Sequence, residues 1–143
     1  MRLTNFTDYG LRMLMRIASE PNHTHSTSDL AEEFGLPRNH LAKIVQRLAE
    51  GGIVTTHRGK GGGVELARAA DLIVLGDLIK LLERDQPLVE CWSEKTCTCS
   101  IEFGCRLKPR LRHAEAAFIA DMNKSTLKDI ALEHRSRIKQ EIV

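Results

Sequence analysis

Apolar positions recur along this chain mostly at helical spacing. Leu11, Leu14, Met15 and Ala18 predict a first amphipathic helix over residues 7–19, ended by Pro21-Asn22. Ser26-Thr27-Ser28 supplies N-cap hydroxyls for a second helix from Asp29 to Phe34, and Gly35 is placed to close it. Pro37 stands where proline starts a helix. Leu41, Ile44, Val45 and Leu48 then share one face of a third helix that stops at Gly51-Gly52. Two β-prone runs follow, Ile53–His57 and Val64–Leu66, joined by Arg58-Gly59-Lys60-Gly61-Gly62-Gly63, whose glycines permit a tight hairpin. Ile73 is expected to add a third strand to it.

Helical spacing returns at Leu75, Leu78, Ile79 and Leu82, predicting a helix over 75–84 that Gln86-Pro87 breaks. Residues 88–104 read as a loop, long for a compact domain and therefore a candidate for function. From Leu107 the series Leu111, Ala114, Phe118, Met122 predicts a long helix, and Ala114, Ala116, Ala117 and Ala120 leave room for another helix to approach closely. Ser125 is placed to cap a short helix through Ile130, and a polar tail follows over 133–143.

Two short helices separated by a glycine-containing turn, then a basic hairpin, read as a winged helix-turn-helix. The fold class expected is mainly α with a small β-hairpin wing, extended by a long C-terminal dimerisation helix. Three segments result: a DNA-binding domain over 1–85, a cysteine-bearing loop over 86–106, and the dimerisation helix with its tail over 107–143. A long helix appended to a small domain most often packs on its symmetry mate, so a homodimer is expected.

Charge changes the picture only locally. The 143 residues carry a net charge of +2, but six Lys/Arg against two acids fall between Arg38 and Arg68, which is +4 there and leaves −2 elsewhere. A basic stripe on a nearly neutral chain is the footprint of phosphate contact. With its apolar face buried, the third helix is expected to turn Asn39, His40, Lys43, Gln46 and Arg47 outward beside Arg38, groups that hydrogen-bond base edges and phosphates. Arg58 and Lys60 would anchor the wing. Together these eight residues form the candidate contact surface for double-stranded DNA bearing a pseudo-palindromic operator. The glycine-rich loop lacks the Gly-Lys-Ser/Thr ending of a P-loop and does not open a helix, so a nucleotide site is set aside.

No apolar run approaches the roughly 20 residues that span a bilayer. Met1-Arg2-Leu3-Thr4-Asn5 lacks the apolar stretch of a secretory signal, so a cytoplasmic protein is expected. His23, His25, His40, His57, His113 and His134 are scattered and join no acid–base or nucleophile pattern, which argues against an enzyme.

In a cytoplasmic chain, cysteines point to metal or redox chemistry rather than to structural disulfides. The four are Cys91, Cys97, Cys99 and Cys105. Zinc sites usually pair cysteines two to four residues apart, whereas Cys97-Thr98-Cys99 leaves a one-residue gap. Cys91, Cys99 and Cys105, separated by seven and five residues, better suit a larger object, an iron–sulfur cluster. A thiol–disulfide switch and plain free thiols stand as alternatives on spacing alone.

Taken together, the residues resemble a known family, the winged-helix iron–sulfur transcriptional regulators that include IscR, NsrR and RirA. The resemblance covers nearly the whole chain. It rests on Arg2-Leu3-Thr4 and Thr7-Asp8-Tyr9-Gly10-Leu11-Arg12, on Arg38-Asn39-His40-Leu41 with Lys43-Ile44, on the Gly-rich hairpin, and on cysteines closing with Cys105-Arg106-Leu107-Lys108. It implies a dimeric regulator whose cluster state sets its affinity for DNA. Lys108 stands where IscR-like proteins have a histidine, which departs from a 2Fe–2S site of that type. Asp8 matches the aspartate that NsrR-like proteins extend to the partner subunit's cluster as fourth ligand. The resemblance therefore implies a repressor most like NsrR, sensing nitric oxide, with a cluster (4Fe–4S rather than 2Fe–2S) held by Cys91, Cys99, Cys105 and the partner's Asp8. The cysteine spacing also resembles the iron-responsive RirA branch, which gives the alternative signal. Cys99 is aligned as the middle ligand and Cys97 left without a role.

Overall fold

Side-chain caps set where the first helices begin. Thr4 accepts the Thr7 amide at 3.2 Å and starts α1, Asn5–Ser19; Ser26 accepts the Asp29 amide at 3.4 Å and starts α2, Thr27–Phe34. Gly35 ends α2 in the left-handed region at φ 62°, and its N–H bonds back to Ala31 and Glu32. Pro37 precedes α3, Arg38–Glu50. This computed structural model describes residues 2–95 and 97–133, so the predicted polar tail beyond Glu133 lies outside the described residues.

The hairpin pairs β1, Val54–His57, antiparallel with β2, Gly63–Leu66, in the register Val54↔Leu66 to His57↔Gly63. Then come α4, Leu75–Glu83, α5, Leu107–Met122, and α6, Leu127–Ile130, with single turns of 3-10 helix at Ala70–Leu72, Glu90–Trp92 and Glu102–Gly104. One core joins Leu41, Ile44, Val45 and Leu48 of α3 to Leu30, Val54, Val64, Leu78, Leu82 and Leu127. The chain is a winged helix-turn-helix, mainly helical, as its periodicity predicts. Among the described residues no helix is long and apolar enough to cross a membrane.

Three expectations need correction. In α1 the buried side chains are Thr7, Met13, Leu14 and Ile17, whereas Leu11, Met15 and Ala18 are only half-buried. The reason is Gly10: a Cβ there would lie 3.1 Å from both Leu82 methyls, so this glycine lets α1 approach α4, and the buried face runs through it and Thr7. Ile73 forms no strand with the hairpin. It follows the Ala70–Leu72 turn, is 1% exposed, and its carbonyl accepts the Leu127 amide at 2.8 Å, tying α6 to the core. On α5 the one buried residue is Ile119, not a member of the predicted apolar series, and Leu107 is 61% exposed.

Candidate nucleic-acid interface and cysteine loop

With Leu41, Ile44, Val45 and Leu48 inward, the exposed side of α3 carries Arg38, Asn39, Lys43 and Gln46. Ala42 is exposed among them, a methyl that a pattern of polar groups does not mark. A small apolar side chain on a recognition helix suits contact with a thymine methyl. Gln46 is turned toward Glu50, one helical turn on, at 3.1 Å.

His40 and Arg47 do not join that outward set. His40 is half-buried, its ring 6.2 Å from those of both Phe6 and Tyr9. Arg47 lies over the Phe6 ring at 5.2 Å, donates to the Leu82 carbonyl at 3.4 Å and pairs with Asp85 at 2.5 Å. These contacts fix α3 against α1 and the end of α4. Helical spacing puts both residues at the edge of the polar face, and the partners that draw them in are remote in sequence.

Arg58 and Lys60 are exposed at the hairpin tip. The loop end of the hairpin is anchored outside the sheet. His25 donates to the Val64 carbonyl at 2.9 Å and Val64 donates back at 2.8 Å. Gly63 makes this possible, since a Cβ there would collide with the His25 carbonyl, and its φ of 154° is one that side chains rarely adopt. Glu65 accepts from Thr24 at 3.3 Å and faces His57 at 2.8 Å. The His57 ring, with help from Thr24, holds the Glu65 carboxyl below its usual range.

The loop after α4 is braced by polar contacts that spacing did not suggest. Glu90 accepts from the Thr98 hydroxyl at 2.6 Å and its amide at 3.1 Å, and these bonds lower the Glu90 pKa. Glu102 pairs with Lys108 and accepts the Cys97 thiol at 3.5 Å; the lysine first, then the thiol, holds the carboxylate below its usual range. The Cys99 amide favours the Cys97 thiolate, but burial, Glu102 and Cys91 outweigh it and keep the thiol above its ordinary range. Arg112 lies 4.7 Å above the Trp92 ring, whose buried Nε1 has no hydrogen-bond partner among the described residues.

All four cysteines are free, Cys99 exposed and the others half-buried. Cys91, Cys99 and Cys105 do not converge on one point in the way a single metal ion requires. A cluster makes a different demand, because its thiolates bind separate irons and stand farther apart. The donor set fits such a group in kind. The Lys108 amide already donates to Cys105 Sγ at 3.4 Å, and the unpartnered Trp92 N–H beside Cys91 is a donor that a thiolate or sulfide would accept. Asp8, the proposed fourth ligand, sits in the first turn of α1 and pairs with Arg12 at 2.7 Å.

A helix-turn-helix with a basic wing, extended by a long helix, defines a winged-helix transcriptional regulator. Residues 3–133 match the Rrf2 family, described as iron-dependent transcriptional regulators, and the chain belongs to that family. It is 37% identical over 133 residues to the HTH-type transcriptional regulator NsrR of Shouchella clausii, covering 92% of this chain and 89% of that protein. Among solved structures, the oxidized form of Staphylococcus aureus CymR superposes with a TM-score of 0.70 at 27% identity, over 94% of this chain and 98% of CymR. IscR of T. potens shares the fold, with a TM-score of 0.68 at 23% identity over 91% of this chain and 85% of that one. The family is one of transcriptional regulators, not of enzymes.

Proposed function

We propose that this chain is a cytoplasmic, homodimeric, DNA-binding repressor whose operator affinity is set by an iron–sulfur cluster and relieved by nitric oxide. The observation that carries the reading is the cysteine loop: four free thiols on the segment between α4 and α5, on a chain 37% identical to NsrR. Cys91, Cys99 and Cys105 would hold the cluster, of 4Fe–4S type, with Asp8 of the partner subunit as fourth ligand. When bound, the cluster supplies iron that reacts with nitric oxide, most openly at the hard and weakly held carboxylate position.

The protein's own part is mechanical. Asp8 and the recognition helix belong to one packed unit, because Phe6, two residues before Asp8, packs against both His40 and Arg47 of α3. A tie from Asp8 to the partner's loop therefore constrains how the two α3 helices are presented, about 34 Å apart for half-sites one turn of DNA apart. Losing the tie frees them. A coupling of about 1–3 kcal/mol changes affinity roughly 5- to 150-fold, enough to relieve repression. Arg38, Asn39, Lys43, Gln46 and Ala42 would face the major groove, and Arg58 and Lys60 the backbone or minor groove.

A second reading has its own support. The structural likeness to CymR, solved in an oxidized form, favours a thiol-based regulator that uses the same cysteines without iron. An iron-responsive regulator would hold the cluster but lose it when iron is scarce. The separating experiment is an anaerobic visible spectrum of the native protein with iron and sulfide analysis, then a nitric oxide titration while binding to selected operator DNA is followed. Brown protein that bleaches and releases DNA together supports the proposal. Brown protein whose DNA binding ignores nitric oxide but yields to chelators selects the iron sensor. Colourless protein whose binding changes with oxidant selects the thiol regulator.

A further inference from the structure

The end of α1 gathers a second set of ligating groups, far along the chain from the cysteines. Glu20 follows the last residue of α1, and His23 and His25 lie in the turn leading to α2. One ligand atom from each of the three falls within 4.8 Å of the others. The His23 and His25 rings meet edge-on, 4.8 Å between centroids.

His25 makes the cluster more than a surface coincidence. It is 7% exposed, and its Nε2 is buried without a hydrogen-bond partner among the described residues. Burial first, then His23, disfavours its protonated form. A buried imidazole grouped with a second imidazole and a carboxylate is a donor set suited to a cation. The site also lies at the C-terminal end of a 15-residue helix, where the dipole favours positive charge. The nearby cation Arg16 is engaged by Glu33 at 2.6 Å.

We propose that Glu20, His23 and His25 form a binding site for a first-row transition dication of the zinc type. Two imidazoles and one carboxylate are ligands of that class rather than of calcium or magnesium. With ordinary bond lengths of about 2.0–2.2 Å, the ligand atoms would draw in to roughly 3.4 Å apart. His23 is exposed, so the fourth position opens to solvent and holds water. An ion here would also brace the wing, because His25 pairs with Val64 and the intervening Thr24 bonds Glu65.

The site is independent of the cysteine loop, and the test separates them. The full chain is prepared with Cys91, Cys97, Cys99 and Cys105 replaced by serine, and Zn²⁺ binding is measured by calorimetry. Co²⁺ provides a visible spectrum of the coordination sphere. Expected are one ion per chain, a Co²⁺ spectrum without thiolate charge transfer, and a raised Tm with metal. His23→Ala and Glu20→Gln should each weaken binding at least about tenfold, as loss of a metal's supporting groups does. His23 is exposed, so its variant keeps the fold even if His25→Ala does not. Absence of binding up to millimolar Zn²⁺, or binding indifferent to both His23→Ala and Glu20→Gln, overturns the proposal.

Discussion

Asp8 and Arg12 are bound to one another one turn apart on α1, with Arg12 Nη2 2.7 Å from Asp8 Oδ2 and Nε 3.1 Å from Oδ1. In a protomer without a cluster this pair holds the carboxylate that is proposed to reach the partner's iron. Both side chains are about half exposed, so the pair itself contributes little, about 0.3–0.5 kcal/mol. Asp8→Ala should therefore leave Tm within a few degrees of wild type, yet change the visible spectrum and the nitric oxide response of the anaerobic protein. An unchanged spectrum and response would return Asp8 to the ordinary role of an acid at a helix N-terminus.

The two central cysteines separate cleanly. Cys99 is exposed, while Cys97 is half-buried and its thiol donates to Glu102. Cys99→Ala should abolish iron and sulfide incorporation, and Cys97→Ala should leave both near wild-type content. The reverse result would reassign the middle ligand to Cys97.

The basic residues of α3 and the wing divide by what they touch. Alanine at Arg38, Lys43, Arg58 or Lys60 should keep stability within about 0.5 kcal/mol, since all four are exposed. Each should lower the slope of log affinity against log salt by about 0.9. Arg47→Ala should do the opposite. Losing the Phe6, Leu82 and Asp85 contacts should cost about 1–2 kcal/mol in denaturant unfolding, with the salt slope unchanged. A reduced slope for Arg47→Ala would put that side chain on phosphate after all.

Acid should loosen α6 through its cap. Asp129 accepts from the Thr126 amide at 2.6 Å and its hydroxyl at 3.0 Å; the amide first, then the hydroxyl, lowers its pKa. A carboxylate with a depressed folded pKa stabilises fully above its unfolded value, about 3.9, and loses that contribution as pH falls through the folded value below it. Asp129→Asn should melt lower than wild type from pH 7 to about 5, and the gap should shrink below about 3.9. A gap independent of pH would mean that the carboxylate's charge has no part in the cap.

How much of this was legible in the sequence depends on where each partner lies. The α3 core face could be read because Leu41, Ile44, Val45 and Leu48 are all apolar and locally spaced. The α1 face could not, because it runs through Gly10 and Thr7, which hydropathy does not mark as buried. Arg47 looks like any cation on a polar face until Asp85, 38 residues on, is folded beside it. The cysteine positions were visible as spacing, but the bracing by Glu90, Glu102 and Lys108 was not. Glu20, His23 and His25 went unremarked as a group because a helix end and a turn, not a motif, bring them together.

The exposed length of α5 links the stability of the fold to protein concentration. Of its sixteen residues only Ile119 is buried within the chain; its first residue, Leu107, and Ile101 and Phe103 in the preceding loop stand open. If α5 packs in the proposed dimer, part of the apolar burial that holds the helix in place is intermolecular. Dilution then acts as a denaturant: the melting temperature should climb with protein concentration, and comparisons between variants are meaningful only at matched protomer concentration.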